Sequence, residues 1–330
     1  MKKQEYRPYE ENTKEFQDKL FESRIEAVNL AHKKAPKREW AKYTERMIHI
    51  IFLLLGLITV GCVLLITIYL VISGIPAIRE IGLVEFLFSK EWASTAAEPK
   101  YGILPFILTS VYGTAGAILI GVPIGFMTAV YLSKLASPKV KSAMQSAVSL
   151  LAGIPSVVYG LVGMLVLVPA IRKIFNVPDG ASLLAAIIVL AIMILPSVIS
   201  VSESSLRAVP ESYYEGGLAL GASHERSVFF AVMPAAKSGI LAGVILGIGR
   251  AIGETMAVMM VMGNAIGVPK LLGKGETISA LIAMEMGIAE VGSTHYSALY
   301  TAGLVLMVLL FAINIIFEGL KKKLAKEGRA

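Results

Sequence analysis

Apolar residues run for long stretches in six places along the chain: roughly Met47 to Ile72, Ile103 to Leu132, Val148 to Ile171, Leu183 to Val201, Ala235 to Met262 and Ala298 to Phe317. A helix needs about 20 apolar residues to cross the hydrocarbon of a bilayer. The pattern therefore predicts an all-α membrane protein with six transmembrane helices. Three segments follow: a charged N-terminal segment (1–46), a six-helix transmembrane domain (47–318) and a basic tail (319–330). In the tail, Lys321, Lys322 and Lys323 read as a stop-transfer signal in contact with anionic lipid.

The first apolar run is too long for a cleaved signal peptide and has no shorter apolar core before it, so it reads as a retained anchor. Ahead of it, Phe16, Leu20, Phe21, Ile25 and Val28 recur at near-helical spacing. That spacing fits either an amphipathic helix on the membrane surface or a partner, or a solvated extension. Trp40 and Tyr43 read as interfacial anchors.

Composition agrees with the pattern: 55% of the 330 residues are hydrophobic, 17% are charged, and mean hydropathy is +0.70. Charge then gives orientation, because loops rich in Lys and Arg stay in the cytoplasm. With six spans both termini share a side, and that side holds 22 of the 31 Lys and Arg residues against seven opposite. Both termini are thus expected in the cytoplasm. The same bias accounts for the net charge of +7 without nucleic acid. Cys62 is the only cysteine and His32, His49, His224 and His295 are scattered, so neither an intrachain disulfide nor a metal site is expected.

Spans two to five are dense in Gly, Pro, Ser and Thr, whereas spans one and six are aliphatic. Spans two to five are therefore expected to form the core. Gly239, Gly243 and Gly247, the pair Gly249 and Gly253, and Gly121 with Gly125 repeat at four-residue spacing, as close helix packing requires. Pro123, Pro155 and Pro196 are expected to break or kink spans two to four. Met256, Met259, Met260 and Met262 read as packing residues.

The cytoplasmic stretch of about 204–234 is longer than a simple connection and contains "EGGLALGASHERSVFFAVMP". It resembles the EAA loop of ABC importer permeases. Glu215, Gly216 and Gly217 stand at its E-A-A places, Gly221 at its glycine, Ala231 and Met233 at its apolar places and Pro234 at its proline. Glycines for both alanines, and Ala and Met for Ile and Leu, are departures. Further stretches, "YGILPFILTSVYGT", "GVPIGFMTAVYLS", "GIPSVVYGLVGM" and above all "GRAIGETMAV", are similar to the phosphate ABC transporter permeases of the PstC type.

That resemblance implies the ABC importer type I permease fold and a multi-pass subunit in the cell membrane of a prokaryote. It also implies a PstA-like second permease, a dimer of cytoplasmic ABC ATPases and an external phosphate-binding protein as partners. ATP and Mg would belong to the ATPase, with no cofactor in this chain. The nearest approach to a nucleotide-binding loop, "GVPKLLGKGE", has its glycines one residue too far apart and Gly275 where Ser or Thr is needed. No nucleophile elbow, metal motif or carboxylate dyad suggests an enzyme.

Arg250 and Glu254 are the candidate chemistry. An ionised side chain at the bilayer centre costs about 2.5 to 3.5 kcal/mol, so both must be paired or hydrated. Their four-residue separation is expected to place them on one helix face as a neutralising pair, either as a transport site or as a structural strut. The resemblance makes phosphate the passing anion, with the Arg250 guanidinium as donor and the Glu254 carboxylate as acceptor of a phosphate proton. Ser156, Tyr159, Thr255 and Asn264 are further candidates for the route. The rival readings are a permease for sulfate, molybdate or phosphonate, and an ion-coupled secondary transporter, which would show inverted repeats.

Overall fold

A computed structural model of the chain describes residues 20–26 and 38–327, with side chains described for 20–26 and 43–323. It divides into two compact units, Met1–Ile66 and Thr67–Ala330. In the first, residues 20–26 are helical and expose Leu20, Phe21 and Ile25. Phe16, Val28 and the Trp40 side chain lie outside the described residues. Helix α1 (Arg38–Ile81) begins in this unit, and its apolar side chains between Met47 and Ile66 are exposed, as lipid-facing residues are.

The second unit continues with α2 (Leu83–Phe88) and a two-stranded hairpin, β1 (Trp92–Ala93) against β2 (Lys100–Tyr101). Then come α3 (Leu104–Leu135), α4 (Pro138–Gly153), α5 (Ser156–Phe175), α6 (Leu183–Arg207) and α7 (Glu211–Ala219). The chain ends with α8 (His224–Gly253), α9 (Met256–Met262), α10 (Ile278–Glu285) and α11 (Thr294–Glu327). Six of these, α1, α3, α5, α6, α8 and α11, are long and apolar enough to cross a membrane.

Helix α6 is the axis of the unit because glycines on both neighbours let it come close. A methyl group on Gly121 of α3 would stand 2.8 Å from Ile194 and 2.9 Å from the Ala191 carbonyl, and one on Gly125 would stand 3.0 Å from Val198. On α8, Gly243 and Gly247 meet the same helix, at 3.1 Å from Val201 and Val198 respectively. Contacts advance together along α3 and α6, so these helices are parallel, while α8 runs antiparallel. Without a hydrophobic drive between helices in lipid, such close backbone approach supplies the association.

The expected core of spans two to five needs correction. Span α6 is buried over 61% of its most apolar stretch, but α5 over only 17%, the same as α11. The third span also starts later than expected from Val148, because Ile154 is extended before Pro155 and ends α4 at Gly153. Helix α4 is a separate element joined to the C-terminal end of α6, where Glu203 accepts from Gln145 Nε2 at 2.8 Å and pairs with Arg207. Pro123 and Pro196 sit inside continuous helices. Pro169 and Pro234 each follow a π-helical turn, Gly163–Leu167 and Val228–Val232. The widened turn accommodates a ring that cannot donate to the ladder.

Phe86, Trp92, Tyr101, Ile103 and Phe106 pack with Ile278, Leu281, Ala298 and Leu299 into an outer cluster. Glu285 lies at its edge. It accepts from Trp92 Nε1 at 2.9 Å and Ser94 Oγ at 2.9 Å, and its Oε2 lies 2.7 Å from His295 Nε2.

Candidate functional site

The fifth apolar run is not one helix. Helix α8 ends at Gly253, Glu254 is extended (φ −72°, ψ 126°), and a new short helix starts at Met256. This overturns the expected pairing of Arg250 with Glu254, since a four-residue separation brings side chains together only where the helix continues. Among the described residues Arg250 has no ion-pair partner. Instead Glu254 Oε1 accepts from the Ala257 N–H at 3.0 Å, and its carbonyl accepts from Ser279 Oγ at 3.1 Å. Glu254 is fixed at both ends to other segments, while Arg250 is partly exposed in the last turn of α8.

Gly249 and Gly253 complete the picture. A methyl on either would meet nothing within 4 Å, so they do not serve the close packing expected of them. They leave an open face around Arg250.

Helix α5 supplies the other wall. A methyl on its Gly160 would stand 2.8 Å from Ala257 Cα and from Met260 Sδ, so α5 and α9 touch there. Met260 therefore packs, as expected of it. Tyr159 donates to the Leu151 carbonyl at 2.7 Å and packs against the cluster that holds Ala251 and Ala257. Thr255 Oγ1 turns back to the Gly253 carbonyl at 3.4 Å, and Ser156 is the partly exposed first residue of α5. Arg250, Glu254, Thr255 and Tyr159 thus belong to one region.

Asn264 stands apart, beyond the far end of α9. Its Nδ2 donates to the Met259 carbonyl at 2.9 Å, while its buried Oδ1 has no partner. Asn264 (φ 45°) and Gly263 (φ 85°) turn the chain over the start of α6. There Leu183 N and Leu184 N donate to the Gly273 and Leu271 carbonyls. Lys274 pairs with Asp179 at 2.6 Å, and that bond, with the Ala181 N–H, holds Asp179 below the usual carboxylate range. Next to this loop, Glu276 is 6% exposed, and burial, with a smaller contribution from Glu285, raises its carboxyl to about 7.

The second candidate site lies at the α7–α8 turn. Glu215 and Gly216 are exposed on α7, and Gly221 makes the turn into α8 with φ 83°, a conformation that favours glycine. Gly217 has a different reason to be small, since a methyl there would stand 2.7 Å from Ser227 Oγ. Tyr214 bonds through its hydroxyl to His224 Nδ1, closing α7 on α8, while Lys134 pairs with Glu211 at 2.8 Å and lies over the Tyr214 ring. Pro234 is exposed two residues past the π turn. Tyr214, Ser227 and Lys134 carried no periodicity or motif that marked them; the Thr277-Ile-Ser279 start of α10 did carry a capping pattern, and Thr277 Oγ1 accepts from Ala280 N at 3.3 Å.

Residues 121–326 match the family of binding-protein-dependent transport system inner membrane components. A probable ABC transporter permease protein, YqgH, of Bacillus subtilis (strain 168) is 37% identical over 81% of this chain and 88% of its own length. The phosphate transport system permease protein PstC of Xylella fastidiosa (strain 9a5c) is 36% identical over 74% of this chain and 81% of its own. Among solved structures, a chain of a bacterial alginate ABC transporter in complex with an alginate pentasaccharide-bound periplasmic protein aligns with TM-score 0.57 at 17% identity. That alignment covers 88% of this chain and 96% of the other.

Proposed function

The chain belongs to the binding-protein-dependent transport system inner membrane components, with PstC permeases among its relatives, and we propose that it forms half of the translocation pathway of an ATP-driven phosphate importer. Its partners in this reading are a PstA-like second permease, two copies of a cytoplasmic ATPase that carry ATP and Mg, and an external phosphate-binding protein. The setting is the cell membrane of a prokaryote.

The observation that carries the reading is Arg250, a guanidinium within a membrane-spanning helix, with no ion-pair partner among the described residues and an open glycine face beside it. Such a charge is costly in hydrocarbon and makes sense where an oxyanion meets it. Glu254 Oε1 is engaged by Ala257, and its second oxygen has no bond among the described residues. That oxygen suits the proton of HPO4 2− or H2PO4 −, which sulfate and molybdate lack at neutral pH. Glu215 to Gly221 seats in the ATPase and Pro234 marks where α8 enters the membrane, so motion enters through the α7–α8 turn.

The test is phosphate uptake by the complex reconstituted with its partners. Exchanging the two charges, Arg250→Glu with Glu254→Arg, should leave the complex assembled and uptake lost, because the positive group is needed at one depth. Import at near the original rate would show Arg250 to be structural. Competition by sulfate, molybdate and a phosphonate decides the anion, with phosphate alone expected to compete strongly.

A further inference from the structure

Glu254 has left the helical ladder, and a carbonyl in that position needs a donor from elsewhere. The donor comes from 25 residues further along the chain, where Ser279, 8% exposed, gives its hydroxyl proton to the Glu254 carbonyl at 3.1 Å. Ser279 Oγ is in turn 3.1 Å from Thr277 Oγ1, and Ser110 Oγ on α3 accepts from the Ile278 N–H at 3.1 Å. Three buried hydroxyls therefore fix the inner end of α10 between α3 and the helix break.

The outer end of α10 is fixed as firmly. Glu285, its last residue, accepts from Trp92 Nε1 and Ser94 Oγ in the outer hairpin and contacts His295 at the start of α11. Ring contacts hold the same group together, with Trp92 edge-on to Tyr101 and to Phe106 at 5.4 and 5.8 Å between centroids. The eight residues between the two ends make a rod of about 12 Å. A helix this short, bonded at both ends, moves as a unit.

We propose that α10 is a strut that ties the outer hairpin to the helix break at Glu254, with Ser279 as the positioning residue at its inner end and Glu285 as the anchor at its outer end. A displacement of the hairpin, such as a protein docking on the outer surface would impose, then reaches Glu254 along one rigid element. The strut rests on these bonds alone; its bearing on transport rests on the pathway reading above.

The experiment reads the break directly. Gly253 is exposed and a methyl there meets nothing within 4 Å, so Gly253→Cys in a Cys62→Ser background gives a reporter whose labelling rate by a water-soluble maleimide follows the local geometry. In the assembled complex with its partners, Ser279→Ala should change that rate at least threefold and Ser279→Thr, which keeps the hydroxyl, should restore it. Trp92→Phe keeps the ring packing but removes the donor to Glu285. It should shift the rate at least twofold in the same direction, and should add nothing in the Ser279→Ala background, because both act through one element.

An unchanged rate in Ser279→Ala, or effects of the two substitutions that simply multiply, overturns the strut. Trp92→Phe tests it from the outer end should Ser279→Ala fail to assemble. Phosphate uptake measured on the same samples separates the two readings. A shifted labelling rate with full uptake upholds the strut and removes Glu254 from the pathway, whereas lost uptake with an unchanged rate overturns the strut and leaves the pathway reading standing.

Discussion

Helix α8 carries two sets of glycines that look alike and do opposite things. Gly239, Gly243 and Gly247 lie against α6, where any side chain would collide with Ser205, Val201 or Val198. Gly249 and Gly253, within the next two turns, face open space. The first set removes bulk so that two helices can approach; the second removes bulk so that Arg250 stands clear. Small residues at four-residue spacing therefore report a need for room, and only the neighbours decide whether another helix or something else uses it.

The comparison breaks most sharply at the charge. Arg250→Ala should reduce phosphate uptake at least 100-fold with the complex still assembled, since the seam against α6 is untouched. Uptake within tenfold of the unsubstituted protein would place the anion route elsewhere.

The loop beyond α9, next to the start of α10, holds a buried acid, Glu276. Glu276 is raised to about 7 from an ordinary 4.5, so the folded state holds its proton more tightly than the unfolded chain. The associated stability is present below about pH 4.5, is lost as pH rises to about 7, and changes no further above that. The loss is at most about 3 kcal/mol. Glu276→Gln should therefore gain in melting temperature over the unsubstituted complex at pH 8 relative to pH 5; a gap independent of pH would contradict this.

Within α8, Gly247→Leu should destabilise the subunit by about 1–3 kcal/mol through overpacking against Val198. Gly249→Leu should leave melting unchanged while impairing uptake. Equal losses of stability from both would erase the distinction drawn here. Glu254→Gln keeps the shape and an acceptor for Ala257 but loses the charge, so uptake should fall only about tenfold, equivalent to about 1.4 kcal/mol.

Much of the fold is legible in hydrophobicity alone, because each span must satisfy its own backbone in lipid and so announces itself as an apolar run. The loops were legible for a similar reason: the Gly221 turn needs a positive φ, and "EGGLALG" shows where it falls. Of two interruptions, one was announced and one was hidden. The ends of α4 at Gly153 and of α8 at Gly253 lie inside apolar runs, and periodicity does not register a chain that stops being helical while staying apolar. Pro155 signals the first. Nothing local signals the second, since the carbonyl of Glu254 is satisfied by Ser279, and a partner 25 residues away has no local signature. The expected Arg250–Glu254 pair failed for the same reason.

The parallel pairing of α3 with α6 has a consequence for biosynthesis. Helix α3 leaves the ribosome well before α6, and its glycine face has no mate until α4, α5 and α6 itself have been made. At about 5–20 residues per second, the wait from Leu135 to Arg207 is on the order of ten seconds, during which Gly121 and Gly125 face lipid or the insertion machinery. Substitutions on that face should therefore appear first as a nascent subunit cleared by quality control, before any mature complex exists to be assayed.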